Sequence, residues 1–129
     1  MNIMTIYKKI DARNVAVLEV MTPMPKLPRI RLISRIQVPS ECRGNGVGNY
    51  LLGSICSIAD DSNYTLYFHI PEKRYIHRTV RWLIKYSFFL ASNPDLLVRI
   101  PGPQDETIQI PTVEEILGVR RYLEEGDVD

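Results

Sequence analysis

Apolar residues along this chain alternate with polar ones in some segments and recur every three to four positions in others. Residues 3–10 and 14–21 are short runs rich in Ile, Val and Thr on either side of the turn formers Asp11-Ala12-Arg13-Asn14, which predicts an antiparallel hairpin. Pro23, Pro25 and Pro28 lack a ladder donor and make 22–28 a loop. Over 29–38 a strand resumes, with Ile30, Leu32, Ile36 and Val38 on one face and Arg29, Arg31, Arg35 and Gln37 on the other. Ile33 and Ser34 break that alternation. After a glycine-rich stretch, Val47, Leu51, Ile55 and Ile58 take near-helical spacing up to the polar stop Asp60-Asp61-Ser62-Asn63. Residues 64–70 read as a strand ending at Pro71, and Ile76, Val80, Leu83 and Ile84 mark one face of a helix over 72–86. A last strand pair is expected at 87–91 and 96–100, joined by Ser92-Asn93-Pro94-Asp95. Thr112 and Glu115 have capping-box spacing and open a C-terminal helix containing Ile116, Val119 and Leu123, with fraying expected over 126–129.

The pattern of strands and helices implies an α+β fold. A length of 129 residues suits one domain, 1–129, and 45% hydrophobic with 24% charged residues is the composition of a globular chain. Sixteen basic residues against fifteen acidic ones leave a formal charge of +1, so a polyanion site must be local and nucleic acid is not an expected partner. Cys42 and Cys56 have neither zinc-knuckle nor redox spacing, which points to a reducing, cytoplasmic setting and implies no metal. The first residues lack the features of a secretion signal, and no run approaches the roughly 20 apolar residues of a membrane span. A soluble, unprocessed protein is therefore expected. Its oligomeric state stays open, a homodimer being one option.

Arg43-Gly44-Asn45-Gly46-Val47-Gly48 lies directly between a predicted strand and a predicted helix. Glycines there bring backbone N–H groups together at the positive end of a helix dipole without side chains in the way, which suits a diphosphate. A Walker loop needs Lys and then Ser or Thr after its last glycine, whereas Asn49 and Tyr50 follow Gly48. The dinucleotide fingerprint needs glycine at position 49 or 51, where Asn49 and Leu51 stand. A tight strand-to-helix turn without a ligand is the remaining structural alternative.

The loop resembles the coenzyme A signature of the GNAT (Gcn5-related N-acetyltransferase) superfamily, (Gln/Arg)-x-x-Gly-x-(Gly/Ala). Val38-Pro39 upstream, Leu51-Leu52 on the helix, and Lys85-Tyr86-Ser87-Phe88, with serine where the family has glycine, extend the resemblance over about residues 29–100. It implies a GNAT-like fold, a mixed, mostly antiparallel central sheet flanked by helices with a shortened N-terminal part, and acetyl-CoA as co-substrate. The backbone of Ile36, Gln37 and Val38 is then expected to pair with the pantetheine arm. Arg43, Gly44, Asn45, Gly46, Val47 and Gly48 are expected to hold the pyrophosphate. Family members usually carry about two helices after their first strand that are missing or minimal here. Such a build suits an open site and an amine acceptor on a protein, met by Arg29, Arg31 and Arg35.

Direct aminolysis of a thioester benefits from a base for the amine. His69, at the end of the 64–70 strand on the face opposite Leu66, Phe68 and Ile70, is a candidate, with Glu72 its neighbour; a surface histidine and a helix-start carboxylate are the plain structural readings. The family's usual tyrosine acid falls at Leu83, leaving Tyr75 and Tyr86 as substitutes that equally suit a core edge. Arg74, Arg78, Arg81 and Lys85 share a helix face that suits a solvated surface, the coenzyme's 3′-phosphate or an acidic partner. Cys56 reads as core rather than as an acyl carrier. These residues suggest an N-acetyltransferase; a non-catalytic GNAT-fold binding or regulatory protein is the alternative.

Overall fold

The computed structural model describes residues 3–92, 95–102 and 110–125. Strands β1 (Ile3–Lys9) and β2 (Val15–Met21) form the expected hairpin, with Asp11 Oδ1 accepting the Arg13 and Asn14 amides at 2.8 and 2.9 Å to lock the turn. Next come β3 (Ile30–Gln37), α1 (Val47–Ser62), β4 (Thr65–His69), α2 (Ile76–Ile84), β5 (Phe89–Ser92), β6 (Leu96–Arg99) and α3 (Val113–Glu125). The sheet has the order β1-β2-β3-β4-β6-β5, antiparallel throughout except for the parallel pair β3 and β4. This is an α+β protein, with a six-stranded, mostly antiparallel sheet and three α-helices among the described residues. No helix among the described residues is long and apolar enough to cross a membrane.

Each face of the sheet has its own core. Leu18, Val20, Ile33, Leu66, Phe68 and Leu97 pack with Leu51, Leu52, Ile55 and Ala59 of α1 and Leu83 of α2. On the opposite face Ile30, Leu32, Tyr67, Leu96 and Val98 pack with Val119 of α3. Burial of both sheet faces explains why β4 reads as a nearly continuous apolar run.

The break at Ile33 and Ser34 is a β-bulge: Glu19 stands opposite Arg35 and Val20 opposite Ile33, which leaves Ser34 as the extra residue. Because side chains alternate with period two, one inserted residue exchanges the faces beyond it. The single apolar face expected for 29–38 is therefore corrected. Ile30 and Leu32 pack toward α3, whereas Ile33, Ile36 and Val38 belong to the core under α1.

Local chemistry also moves two boundaries. The helix expected from 72 begins as a 3-10 turn, Lys73–Tyr75, and becomes α-helical at Ile76. At its far end the Phe88 amide donates to the Leu83 carbonyl and the Ser87 amide to the Ile84 carbonyl, a Schellman closure with Ser87 at φ +71°. That left-handed position favours glycine, and it delays β5 to Phe89. In the 92–95 turn, Ser92 closes β5, while 93 and 94 lie outside the described residues, as do 126–129.

Ion pairs tie the layers together. Arg99 of β6 grips Asp60 of α1 with two N–H donors at 2.9 and 3.0 Å, and the Gly102 amide donates to the same carboxylate at 2.7 Å. The Arg99 hydrogen bonds hold the Asp60 carboxyl below the ordinary aspartate range. A carboxyl with a lower pKa folded than unfolded contributes stability above about pH 4, and that contribution is lost as pH falls through the folded value. Because the Asp60 side chain is 37% exposed and water screens the pair, Asp60→Asn is expected to lower stability at neutral pH by about 1 kcal/mol and to make acid unfolding below pH ~4 less steep. Urea denaturation at a series of pH values checks both effects.

Candidate functional site

β3 and β4 pair in parallel only from Ile30 opposite Thr65 to Ile33 opposite Phe68. Beyond that point β3 stays with β2 as far as Gln37, while His69 pairs with Leu96 of β6. The two strands part at the bulge, because the extra residue bends β3 toward β2. The side of β3 that faces β4 thus lacks a strand partner along Ser34–Gln37, among the described residues.

The chain then runs through Val38, Pro39 and a 3-10 turn at Ser40–Cys42 into the glycine loop. Gly44 and Gly46 lie at φ +86° and +79°, and the space where a Cβ would project from either holds no atom within 4 Å. Gly46 caps α1 without any side-chain cap bond, so the first-turn amides of that helix have no side-chain acceptor from the cap residue. Gly48 has a different neighbour, since its missing Cβ would come within 3.5 Å of the Trp82 ring. Trp82 Nε1 donates to Asn49 Oδ1 at 2.6 Å, which fixes α2 across the start of α1. Arg43 turns its Nε to the Val38 carbonyl at 3.3 Å, and Asn45 is exposed. Ile36 packs into the core, while Gln37 is exposed and accepts from Arg35. Ile36, Gln37, Val38 and the 43–48 loop are therefore one continuous path from the open edge of β3 to the start of α1.

His69 ends β4 on the α3 side of the sheet, with Nε2 3.1 Å from Asp95 Oδ2. Arg120 of α3 donates to the other oxygen of Asp95 at 2.5 Å. That hydrogen bond, foremost, holds the Asp95 carboxyl below the ordinary aspartate range. An ionised carboxylate only accepts, so His69 Nε2 must carry a proton, and in neutral His69 the basic nitrogen is Nδ1.

A cavity of about 320 Å³ opens at the split, lined by Met21, Leu32, Ile33, Ser34, His69, Pro71, Tyr122 and Leu123. Tyr122 is held by its hydroxyl donating to Met21 Sδ at 2.7 Å. Behind the cavity α3 is anchored by Glu115, which is buried and accepts from Tyr67 and from Arg29 Nη2 at 2.7 Å. Only half of the expected capping box forms: Thr112 Oγ1 accepts the Glu115 amide at 3.1 Å, but the Glu115 side chain turns into the core. A half-buried arginine and a buried phenol outcompete a solvated helix end for that carboxylate.

Of the other candidates, Glu72 is exposed and pairs with Arg74 at 3.5 Å. Tyr75 is exposed with the Arg74 guanidinium 4.7 Å from its ring centre, and Tyr86 donates to the Asn49 carbonyl at 3.3 Å. None of these three lines the cavity, and Leu83 is fully buried. Cys56 is buried, which pushes its thiol up to about 11 and leaves it protonated at neutral pH. The three arginines expected to meet an acceptor are engaged within the chain. Arg29 holds Glu115, Arg31 donates to the Pro28 carbonyl at 2.7 Å and stacks on Tyr64, and Arg35 holds Glu19 and Gln37.

Asp95, Arg120 and Tyr122 are site residues that sequence reasoning missed. A signal existed for Asp95, since it immediately precedes a strand antiparallel to 64–70 and register then places it beside His69. Nothing in the sequence brings α3 to this spot. Comparisons with known protein families, with curated proteins and with solved structures find no match.

Proposed function

We propose that this chain is a GNAT-like N-acetyltransferase that binds acetyl-CoA along Ile36, Gln37, Val38 and the 43–48 loop and acetylates an amine beside His69. The observation that carries the reading is the parting of the parallel strands β3 and β4 beside a glycine loop that opens α1. The free edge of β3 suits the amides of a pantetheine arm, and the open space over Gly44 and Gly46 suits a pyrophosphate. Acetyl-CoA supplies the thioester, whose C–S bond breaks with the electron pair leaving on sulfur as the amine forms its C–N bond. His69 Nδ1 accepts the proton that the amine gives up. Asp95, clamped by Arg120, keeps Nε2 protonated and the ring in place. Neither Tyr75 nor Tyr86 supplies an acid from its observed position, so the departing thiolate is protonated by solvent.

The test is thiol release from acetyl-CoA in the presence of an amine, measured across pH. Substituting His69→Ala is expected to lower kcat about 100-fold, with acetyl-CoA affinity nearly unchanged. An unchanged kcat in the variant moves the base away from His69. Acetyl-CoA binding with no thiol release against any amine assigns the chain a binding or regulatory role instead.

A further inference from the structure

The cavity at the split has walls with a definite chemistry. Met21, Pro71 and Leu123, with the scarcely exposed Leu32 behind them, make it mostly apolar, and Ser34, His69 and Tyr122 add uncharged or weakly basic polar groups. The described residues lining it carry no carboxylate, and the nearby Asp95 is already occupied by Arg120 and His69. A polycationic amine would find no carboxylate along these walls to pair with its second charge. At about 320 Å³ the space is at the small end of ligand sites, which span roughly 300–1,000 Å³. It has room for one side chain of the size of leucine or methionine next to a single amine.

We propose that this cavity is the acceptor subsite and that it takes a primary amine bearing one uncharged apolar substituent, the chemistry of an amino terminus beginning with a residue such as leucine. The proposal rests on the acyl-transfer reading above and adds its substrate class. The apolar group seats against Pro71 and Leu123, and the amine is delivered to His69 and the split. α3 supplies one wall of the subsite and, through Arg120, the clamp on the base.

Two measurements on the full chain test this. Chemical-shift mapping with leucinamide is expected to give saturable perturbations at Leu32, Ser34, His69 and Leu123, whereas spermidine at the same concentration gives none there. In thiol-release assays leucinamide, or a peptide beginning with leucine, is expected to exceed spermidine and an Nα-blocked lysine peptide by at least about tenfold in kcat/KM. A peptide faster than leucinamide identifies a polypeptide source, and the reverse identifies a free small amine; both support the subsite. Leu123→Glu is expected to narrow or reverse the preference by adding a carboxylate, and Leu123→Ala to weaken leucinamide binding severalfold. Leucinamide binding in the cavity without any acetyl-CoA binding keeps the subsite and discards the acyl-transfer reading. Absence of leucinamide perturbations in the cavity, or a preference for spermidine or the blocked lysine peptide, overturns the proposal.

Discussion

Glu115→Ala is expected to lower stability by about 3 kcal/mol, or roughly 10 °C in Tm, the largest loss anticipated from a single polar substitution. The Glu115 side chain is 1% exposed and is the acceptor for both Tyr67 and Arg29. Its removal strands a phenol that lies in the core, and burial together with the Glu115 hydrogen bond already pushes that phenol well above the ordinary tyrosine range. An unsatisfied buried hydroxyl costs about 1–3 kcal/mol. The Arg29 side chain, 35% exposed, recovers part of its loss from water, which keeps the total near the lower end of values for broken buried pairs. Glu115→Gln retains an acceptor for Tyr67 and is expected to lose about half as much. Urea titration of both variants measures the difference. Because α3 also carries Arg120, Tyr122 and Leu123, the alanine variant should lose activity before it unfolds.

The second large effect concerns the loop. At a concentration of about 100 times Kd, acetyl-CoA should stabilise the folded chain by about 2.7 kcal/mol. Gly46→Glu should abolish that gain, because it puts a carboxylate into the open space over the first turn of α1, where a phosphate would otherwise sit. Gly46 lies at φ +79°, so any side chain there also costs the free protein about 1 kcal/mol. Gly46→Asn separates the two effects, since asparagine tolerates this conformation and adds no charge. It is expected to keep a measurable ligand-induced rise in Tm. Equal stabilisation of the native protein and Gly46→Glu would remove the loop from the binding site.

Much of this molecule was legible in the linear pattern. The alternation over 3–21 around an Asp-Asn turn, the 3.6-residue stripe after Gly48, and the apolar run ended by Pro71 are short-range signals, set by backbone sterics and side-chain period. They determined the hairpin, α1 and β4, and the order of elements along the chain. The loop at 43–48 was equally visible, because glycine at a left-handed position is a local requirement. The disturbed alternation at Ile33 and Ser34 was visible too, but its meaning was not. Only the pairing of β3 with β2 shows that one extra residue, Ser34, sends Leu32 and Ile36 to opposite cores and parts β3 from β4.

The candidate site was decided by contacts between residues far apart in sequence. His69 meets Asp95 because β4 and β6 pair antiparallel, and Asp95 meets Arg120 because α3 crosses that face of the sheet. Periodicity could mark Val119 and Leu123 as an apolar stripe but could not say which surface they would cover. Nor could it show that the arginines over 29–35 are satisfied within the chain, since that depends on where Glu19, Glu115 and Tyr64 arrive after folding. The sequence by itself determined the elements and the glycine loop, because those follow from local sterics and period. The tertiary structure alone decided the two-sided core, the split and the walls of the cavity, because burial and ion pairing are settled only when distant segments compete for the same partners.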